Sequence, residues 1–315
     1  MGNILSIGQL SKKQIEEILS VSIDLEQNGG TTLKNKNIIF AFEKPSLRTV
    51  IATEVAINHL QGHVIHIKPE NFFEGQILFS NKKQAHMKGR ESLKDTVKNV
   101  SEWCDAIFAR VFSHQTLLDI AEHSSIPIVN ALSDLHHPMQ AFADLFTIQE
   151  KFGKNAVSLA YVGDANNVAF SLFEIMLMFG HDVRFAGPKN YSFSKKQQTY
   201  FEKVAVKNHA RVFFTDDPKE AVEHADVVYT DTFVSMGEEQ EYEEKIKAFG
   251  GYQVNKKLFS RAKKGAIFMH CLPAHRGVEV TDEIIDSKMS LVYQQAKNRM
   301  VVSKGVFTTL LQKKI

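Results

Sequence analysis

Four consecutive residues, Ser46-Leu47-Arg48-Thr49, are of the types that hold an anion. They follow an apolar run, Ile38-Ile39-Phe40-Ala41-Phe42, and the polar Glu43-Lys44-Pro45. The run reads as a buried parallel strand that Pro45 ends, with Ser46 as the N-cap of a helix whose apolar spacing covers 49 to 60. Such a helix start aims backbone N–H groups, the hydroxyls of Ser46 and Thr49 and the rigid guanidinium of Arg48 at one point, which suits a phosphate or a carboxylate. Taken alone, S-x-R-T fits an N-cap with one solvated arginine equally well.

Other candidates fall at the ends of expected strands, where parallel sheets bind ligands. Arg110 closes a strand over 106 to 110. Pro138 suits a first helical position, so His137 lies at the cap and Gln140 one turn on, facing the same way; a plain cap with an exposed glutamine is the simpler alternative. His136 and His137 are adjacent and lack the i, i+4 spacing of a helical metal pair. A strand over 157 to 162 runs into Gly163-Asp164-Ala165-Asn166-Asn167, which resembles a dinucleotide-binding opening without its G-x-G-x-x-G. Asn166 and Asn167 instead offer amides there. Asp231, after a strand over 226 to 230, brings a carboxylate, although an aspartate in that place is most often a cap. Pro273 stops the last strand and leaves the carbonyls of Cys271 and Leu272 free to accept from a ligand. A nucleophilic role for the Cys271 thiol is disfavoured, because His270 precedes it on a strand and points to the opposite face.

The elements that must position these groups alternate. Helices are expected over 10 to 25, 91 to 103, 116 to 123, 168 to 179 and 291 to 310, and further strands over 62 to 67, 126 to 130, 182 to 186, 211 to 214 and 266 to 270. The stretch from 68 to 90 has little period and reads as a long loop of the functional kind. Alternation predicts an α/β fold with mostly parallel sheets. A length of 315 residues predicts about two domains, and 43% hydrophobic content is enough to build both cores. The formal charge of +2 provides no strong field for nucleic acid or a membrane surface. The longest apolar run, near 175 to 179, is far too short to span a bilayer. The N-terminus lacks the charged and apolar regions of a signal peptide. Cysteines occur only at Cys104 and Cys271, which suits a reducing cytoplasm and excludes a disulfide scaffold or a thiolate zinc cluster.

Taken together, Ser46-Leu47-Arg48-Thr49, Arg110, His137-Pro138-Met139-Gln140, Gly163 to Asn167, Asp231 with Ser235-Met236-Gly237, His270-Cys271-Leu272-Pro273 and Asn298-Arg299 resemble the aspartate/ornithine carbamoyltransferase family in order and spacing. The likeness covers essentially the whole chain, and Ser235-Met236-Gly237 with the stretch from His270 to Gly277 is similar to the ornithine branch. It implies two doubly wound, mostly parallel-sheet domains joined by long helices. One is a carbamoyl-phosphate-binding domain over 1–137 completed by a helix over 291–315, the other an ornithine-binding domain over 138–290. The implied reaction moves the carbamoyl group of carbamoyl phosphate to the δ-amine of L-ornithine, giving L-citrulline and phosphate. A cytoplasmic homotrimer, or a multiple of trimers, without metal or organic cofactor is implied as well.

Carried onto this chain, the resemblance gives Ser46, the Leu47 backbone, Arg48, Thr49 and Arg110 the phosphate. His137 and Arg110 would polarise the carbonyl oxygen, Gln140 and the carbonyls of Cys271 and Leu272 would take the carbamoyl NH₂, and Arg299 would close on the same ligand. Asn167, Asp231, Ser235 and Met236 match the ornithine positions, with Asp231 and the Cys271 thiol orienting the δ-amine. Three departures stand out. Val50 replaces the usual second arginine of S-x-R-T-R, Phe233 replaces a common tryptophan, and the residue that crosses to a neighbouring subunit aligns with His86 before Arg90, with Gln84 nearby. Three rivals differ in chemistry: a carbamoyltransferase for another amine, such as putrescine or an N-acylated ornithine; a ligand-binding homologue without turnover, which Val50 favours; and a nucleotide-dependent dehydrogenase, which the lone Gly163 opposes.

Overall fold

The structure is a computed structural model that describes residues 2–73, 91–234 and 239–312. Strand β1 (Asn37–Phe42) buries Ile38, Ile39, Phe40 and Ala41 in succession, as a strand covered on both faces requires. Its partners are β2 (His63–Ile67), β3 (Ala106–Arg110) and β4 (Ile128–Leu132), all parallel, in the order β2-β1-β3-β4. Crossovers run through α2 (Leu47–His59), α4 (Leu93–Trp103) and α5 (His114–His123). The chain leaves β1 towards one edge and returns for β3 on the other, so the loops after β1 and β3 flank the switch point of this sheet. Both carry expected site residues, Ser46 to Thr49 and Arg110.

The second sheet repeats the plan with five parallel strands, β5 (Ser158–Val162), β6 (Asp182–Ala186), β7 (Val212–Thr215), β8 (Val227–Thr230) and β9 (Ile267–Met269), in the order β7-β6-β5-β8-β9. Here the switch point lies between β5 and β8. The loop with Asn166 follows one strand, and Asp231 follows the other.

The chain divides into two compact units, residues 1–142 with 299–315, and 143–298. Both boundaries fall inside helices, α6 (Pro138–Phe152) and α13 (Val292–Gln312). In the first unit, Ile39, Ala41, Ile107 and Ala109 pack with Val97, Val100, Leu117 and Ile120 of the crossover helices. In the second, Ala160, Val162, Val228 and Phe268 pack with Phe249, Leu258 and Ile284.

Helix α1 (Lys12–Asn28) starts at Ser11, in a capping box with Gln14, and ends at Gly29 with φ of 68°, as a helix followed by two glycines should. Several elements differ from expectation. Part of the supposed loop from 68 is helical, α3 (Pro69–Phe73), because Phe72 and Phe73 are drawn into the first core. The rest of that loop, with His86, Gln84 and Arg90, lies outside the described residues. Strand β4 starts two residues late, since Pro127 has no N–H for the ladder and contributes only its carbonyl, to Ile107. Helix α8 (Lys195–Lys207) was not expected; it buries only Phe201 and Ala205, too little for a visible apolar period. The helices α9 (Pro218–Val222), α10 (Tyr242–Ala248), α11 (Lys256–Phe259) and α12 (Asp282–Ile285) are likewise too short for one.

Candidate active site

On the first unit Arg110 and Arg299 lie close to His137, and local rules set the helix start that carries Arg48. Ser46 is the N-cap of α2 and accepts from the Thr49 N–H. The loops after β1 and β3 are tied together: Glu43 N–H donates to the Arg110 carbonyl at 2.8 Å, and the Glu43 carboxylate accepts from the Phe112 N–H at 2.6 Å. The Thr49 hydroxyl, 1% exposed, accepts from the Arg299 guanidinium at 2.7 Å, which brings α13 to the helix start. Arg110, His137, Gln140 and Arg299 are all buried. Arg48 pairs with no carboxylate among the described residues, so its guanidinium remains available to an anion.

His137 is the residue on which this half turns. Burial drives its pKa well below 6.5, and the nearby Arg299 and Arg110 guanidinium groups push in the same direction. The ring is therefore a neutral hydrogen-bonding partner set among fixed positive charges, an arrangement suited to an oxygen that gains negative charge. Its backbone carbonyl accepts from the N–H groups of Gln140 and Ala141, so it occupies the cap position expected of it and places Gln140 one turn on. The adjacent His136 is brought down to about 4, by burial first and the neighbouring His114 second. Val50, in place of a second cation, lines an apolar cavity of about 450 Å³ with Phe42, Leu47, Ile51 and His66.

On the second unit Asn166 and Cys271 gather around Asp231, which is 4% exposed. Its carboxylate accepts from the Asn166 side-chain amide (2.9 Å), from the Cys271 thiol (3.0 Å) and from the Thr232 N–H (2.8 Å). Asn166 also caps α7 (Asn167–Met178) through its side-chain oxygen, which accepts from Val168 and Ala169. Both ends of this side chain are thus committed, and Asn167 begins the helix beside it. Leu272 has φ of 57° and is followed by a cis bond to Pro273. Asp231, His270 and Cys271 could each offer a ligand atom within 4.8 Å of one another, so His270 does not turn away from Cys271 as expected, because β9 ends at Met269, before both residues. His270, however, accepts from the Leu272 N–H at Nδ1 and faces Glu279 at Nε2, so the group reads as a hydrogen-bonded cluster. Ser235 and Met236 lie outside the described residues.

Sequence spacing gives little sign of two buried contacts here. Lys245, 2% exposed on α10, donates to Asp164 at 2.8 Å and ties the helix that follows the 235–238 stretch to the loop after β5. His270 and Glu279, both fully buried, form the other. Nothing in the spacing 164 to 245 points to the first; an acidic residue soon after the His270-Cys271-Leu272-Pro273 stretch was the only available hint of the second.

Known proteins bear on both halves. Residues 3–150 match the carbamoyl-P binding domain of aspartate/ornithine carbamoyltransferase, and residues 155–310 match its Asp/Orn binding domain. A catabolic ornithine carbamoyltransferase of Thermoplasma volcanium is 41% identical over 313 residues, covering 98% of each chain. An ornithine carbamoyltransferase of Methanococcus vannielii is 42% identical over 99% of this chain and 100% of its own. The crystal structure of the anabolic ornithine carbamoyltransferase of Campylobacter jejuni superposes with a TM-score of 0.90 at 35% identity, covering all of both chains. With full-length likeness in sequence and fold, and buried polar residues placed at the switch point of each sheet, the chain belongs to the aspartate/ornithine carbamoyltransferase family.

Proposed function

We propose that the chain transfers the carbamoyl group of carbamoyl phosphate to the δ-amine of L-ornithine, releasing L-citrulline and phosphate. The observation that carries this reading is the buried, neutral His137 among the charges of Arg110 and Arg299, next to the capped helix start of Ser46 to Thr49. Ser46, the Leu47 N–H, Arg48, Thr49 and Arg110 take the phosphate, and Arg299 supports it. His137 and Arg110 donate to the carbonyl oxygen, while Gln140 and the carbonyls of Cys271 and Leu272 receive the carbamoyl NH₂. Asn167, Asp231, Ser235 and Met236 hold the amino acid, and Asp231 with the Cys271 thiol orients the amine.

An aliphatic amine of this kind has a pKa of about 10.4, so it must be bound neutral before it can attack. Its lone pair adds to the carbonyl carbon, and negative charge grows on the oxygen facing His137 and Arg110. Collapse breaks the C–O bond to phosphate, which leaves with the bonding pair and takes up the proton lost by the amine. Fixing both substrates in line supplies a large part of the acceleration.

The same reading carries a cytoplasmic homotrimer, or a multiple of trimers, working in arginine metabolism; light scattering at three times the chain mass or a multiple of that is the expected result for assembly. Activity is tested by measuring citrulline-type products with ornithine, putrescine and N-acetylornithine in parallel. Turnover with ornithine alone supports the proposal. Preference for either other amine would replace the substrate, and ligand binding without turnover would make the chain a non-catalytic homologue.

A further inference from the structure

Resting on the carbamoyl-transfer reading above, we propose that His270 and Glu279 are positioning residues that hold the Cys271-Leu272 segment in its working geometry. Their side chains are both 0% exposed and form one brace across the loop. The Leu272 N–H donates to His270 Nδ1 at 2.9 Å, so that nitrogen carries a lone pair and the ring proton belongs on Nε2. Nε2 faces Glu279 Oε1 at 3.2 Å, and the same oxygen accepts from the His275 N–H at 2.6 Å. Both ends of the loop, at 272 and at 275, are therefore pinned to a single buried pair. The His270 N–H is fixed separately, by Gln295 Oε1 at 3.1 Å.

Two features say that this brace does more than fill space. Leu272 has φ of 57°, a left-handed conformation that a leucine adopts only when its surroundings impose it, and the bond from His270 is made to that residue's own N–H. Glu279 buries a carboxylate whose second oxygen, Oε2, makes no hydrogen bond among the described residues and has the His275 imidazole only at 4.0 Å. An arrangement that costly is retained where it fixes a functional geometry, and what it fixes is the peptide whose thiol reaches Asp231 at 3.0 Å. Neither residue touches a reacting atom; they act through Cys271 and Leu272.

The test uses the full chain in a Cys104→Ser background, which leaves Cys271 as the sole thiol. Iodoacetamide alkylation of Cys271, the kcat and KM for ornithine, and thermal unfolding are measured side by side. Glu279→Ala is expected to lower kcat/KM about a hundredfold, as a displacement of reacting groups by a fraction of a bond length would. Alkylation of the released thiol should then speed up about tenfold. Glu279→Gln, which keeps an accepting Oε1, should recover most of both losses. If Glu279→Ala does not fold, His270→Gln decides, because its amide can still donate to Glu279 from the Nε2 position but places no acceptor where Nδ1 received the Leu272 N–H: faster alkylation supports the brace and the parental rate overturns it. A lowered melting temperature with parental alkylation and kinetics would likewise reduce the pair to a structural role and overturn the proposal. The alkylation rates need no turnover, so a parent chain that forms no citrulline would sink the functional reading without deciding this one.

Discussion

Arg48 is the group at the proposed anion site whose removal has the most direct consequence, since it pairs with no carboxylate among the described residues. Arg48→Ala is expected to lower kcat/KM by about a hundredfold or more, the scale of losing a charge-assisted contact to a group that gains charge in the transition state. Its circular dichroism and unfolding midpoint should stay parental; undiminished carbamoyl transfer would contradict the site. Cys271 makes a finer case. Its thiol donates to Asp231, which a serine hydroxyl can also do, so Cys271→Ser should chiefly raise the ornithine KM, by about tenfold, with a smaller effect on kcat. Trapping of a carbamoylated thiol in the parent enzyme would show instead that the sulfur is a nucleophile.

At the scale of elements, the loops after β5 and β8 are held by contacts that come from far along the chain. Lys245 on α10 closes on Asp164, and both are nearly excluded from water. Lys245→Met leaves that carboxylate buried without its cation, so a loss of about 3–5 kcal/mol in denaturant unfolding is expected. Adding Asp164→Leu to it should recover much of the loss, because two apolar groups in place of a buried pair cost little; no recovery would mean that Asp164 is needed for its other contacts. Helix packing offers an independent check. Gly305 of α13 lies against α1, where an added Cβ would overlap the Ser22 side chain and the Ile18 carbonyl, a backbone atom that cannot turn aside. Gly305→Ala is expected to cost about 1–3 kcal/mol, from overpacking alone. A parental unfolding midpoint would show that the two helices can move apart freely.

For the molecule as a whole, three histidines of the first unit make stability depend on pH. His137, His136 and His114 all have pKa values lowered in the fold, chiefly by burial, that of His136 to about 4. Below 6.5 the unfolded chain takes up protons that the folded chain refuses, so stability falls as pH drops from 6.5 towards 4. Denaturant midpoints between pH 7 and pH 4 should decline, and His136→Gln should flatten the decline; an unchanged slope in that variant would assign the effect elsewhere. Much of this architecture was legible in the order of residues. The β1 run, the Ser46 cap, Pro138 at a helix start and the Gly29 stop are governed by neighbours a few positions away, so strands, helices and the candidate anion-binding loop could be read directly from them. The strand order could not, because pairing joins residues far apart in the chain. That order decides which loops meet at a switch point, and so brings Asn166, Asp231 and Cys271 into hydrogen-bonding contact from positions 166, 231 and 271. The same holds for the neutrality of His137 and for the Lys245–Asp164 and His270–Glu279 pairs. Burial and electric field are properties of the packed volume, and only the tertiary structure sets them.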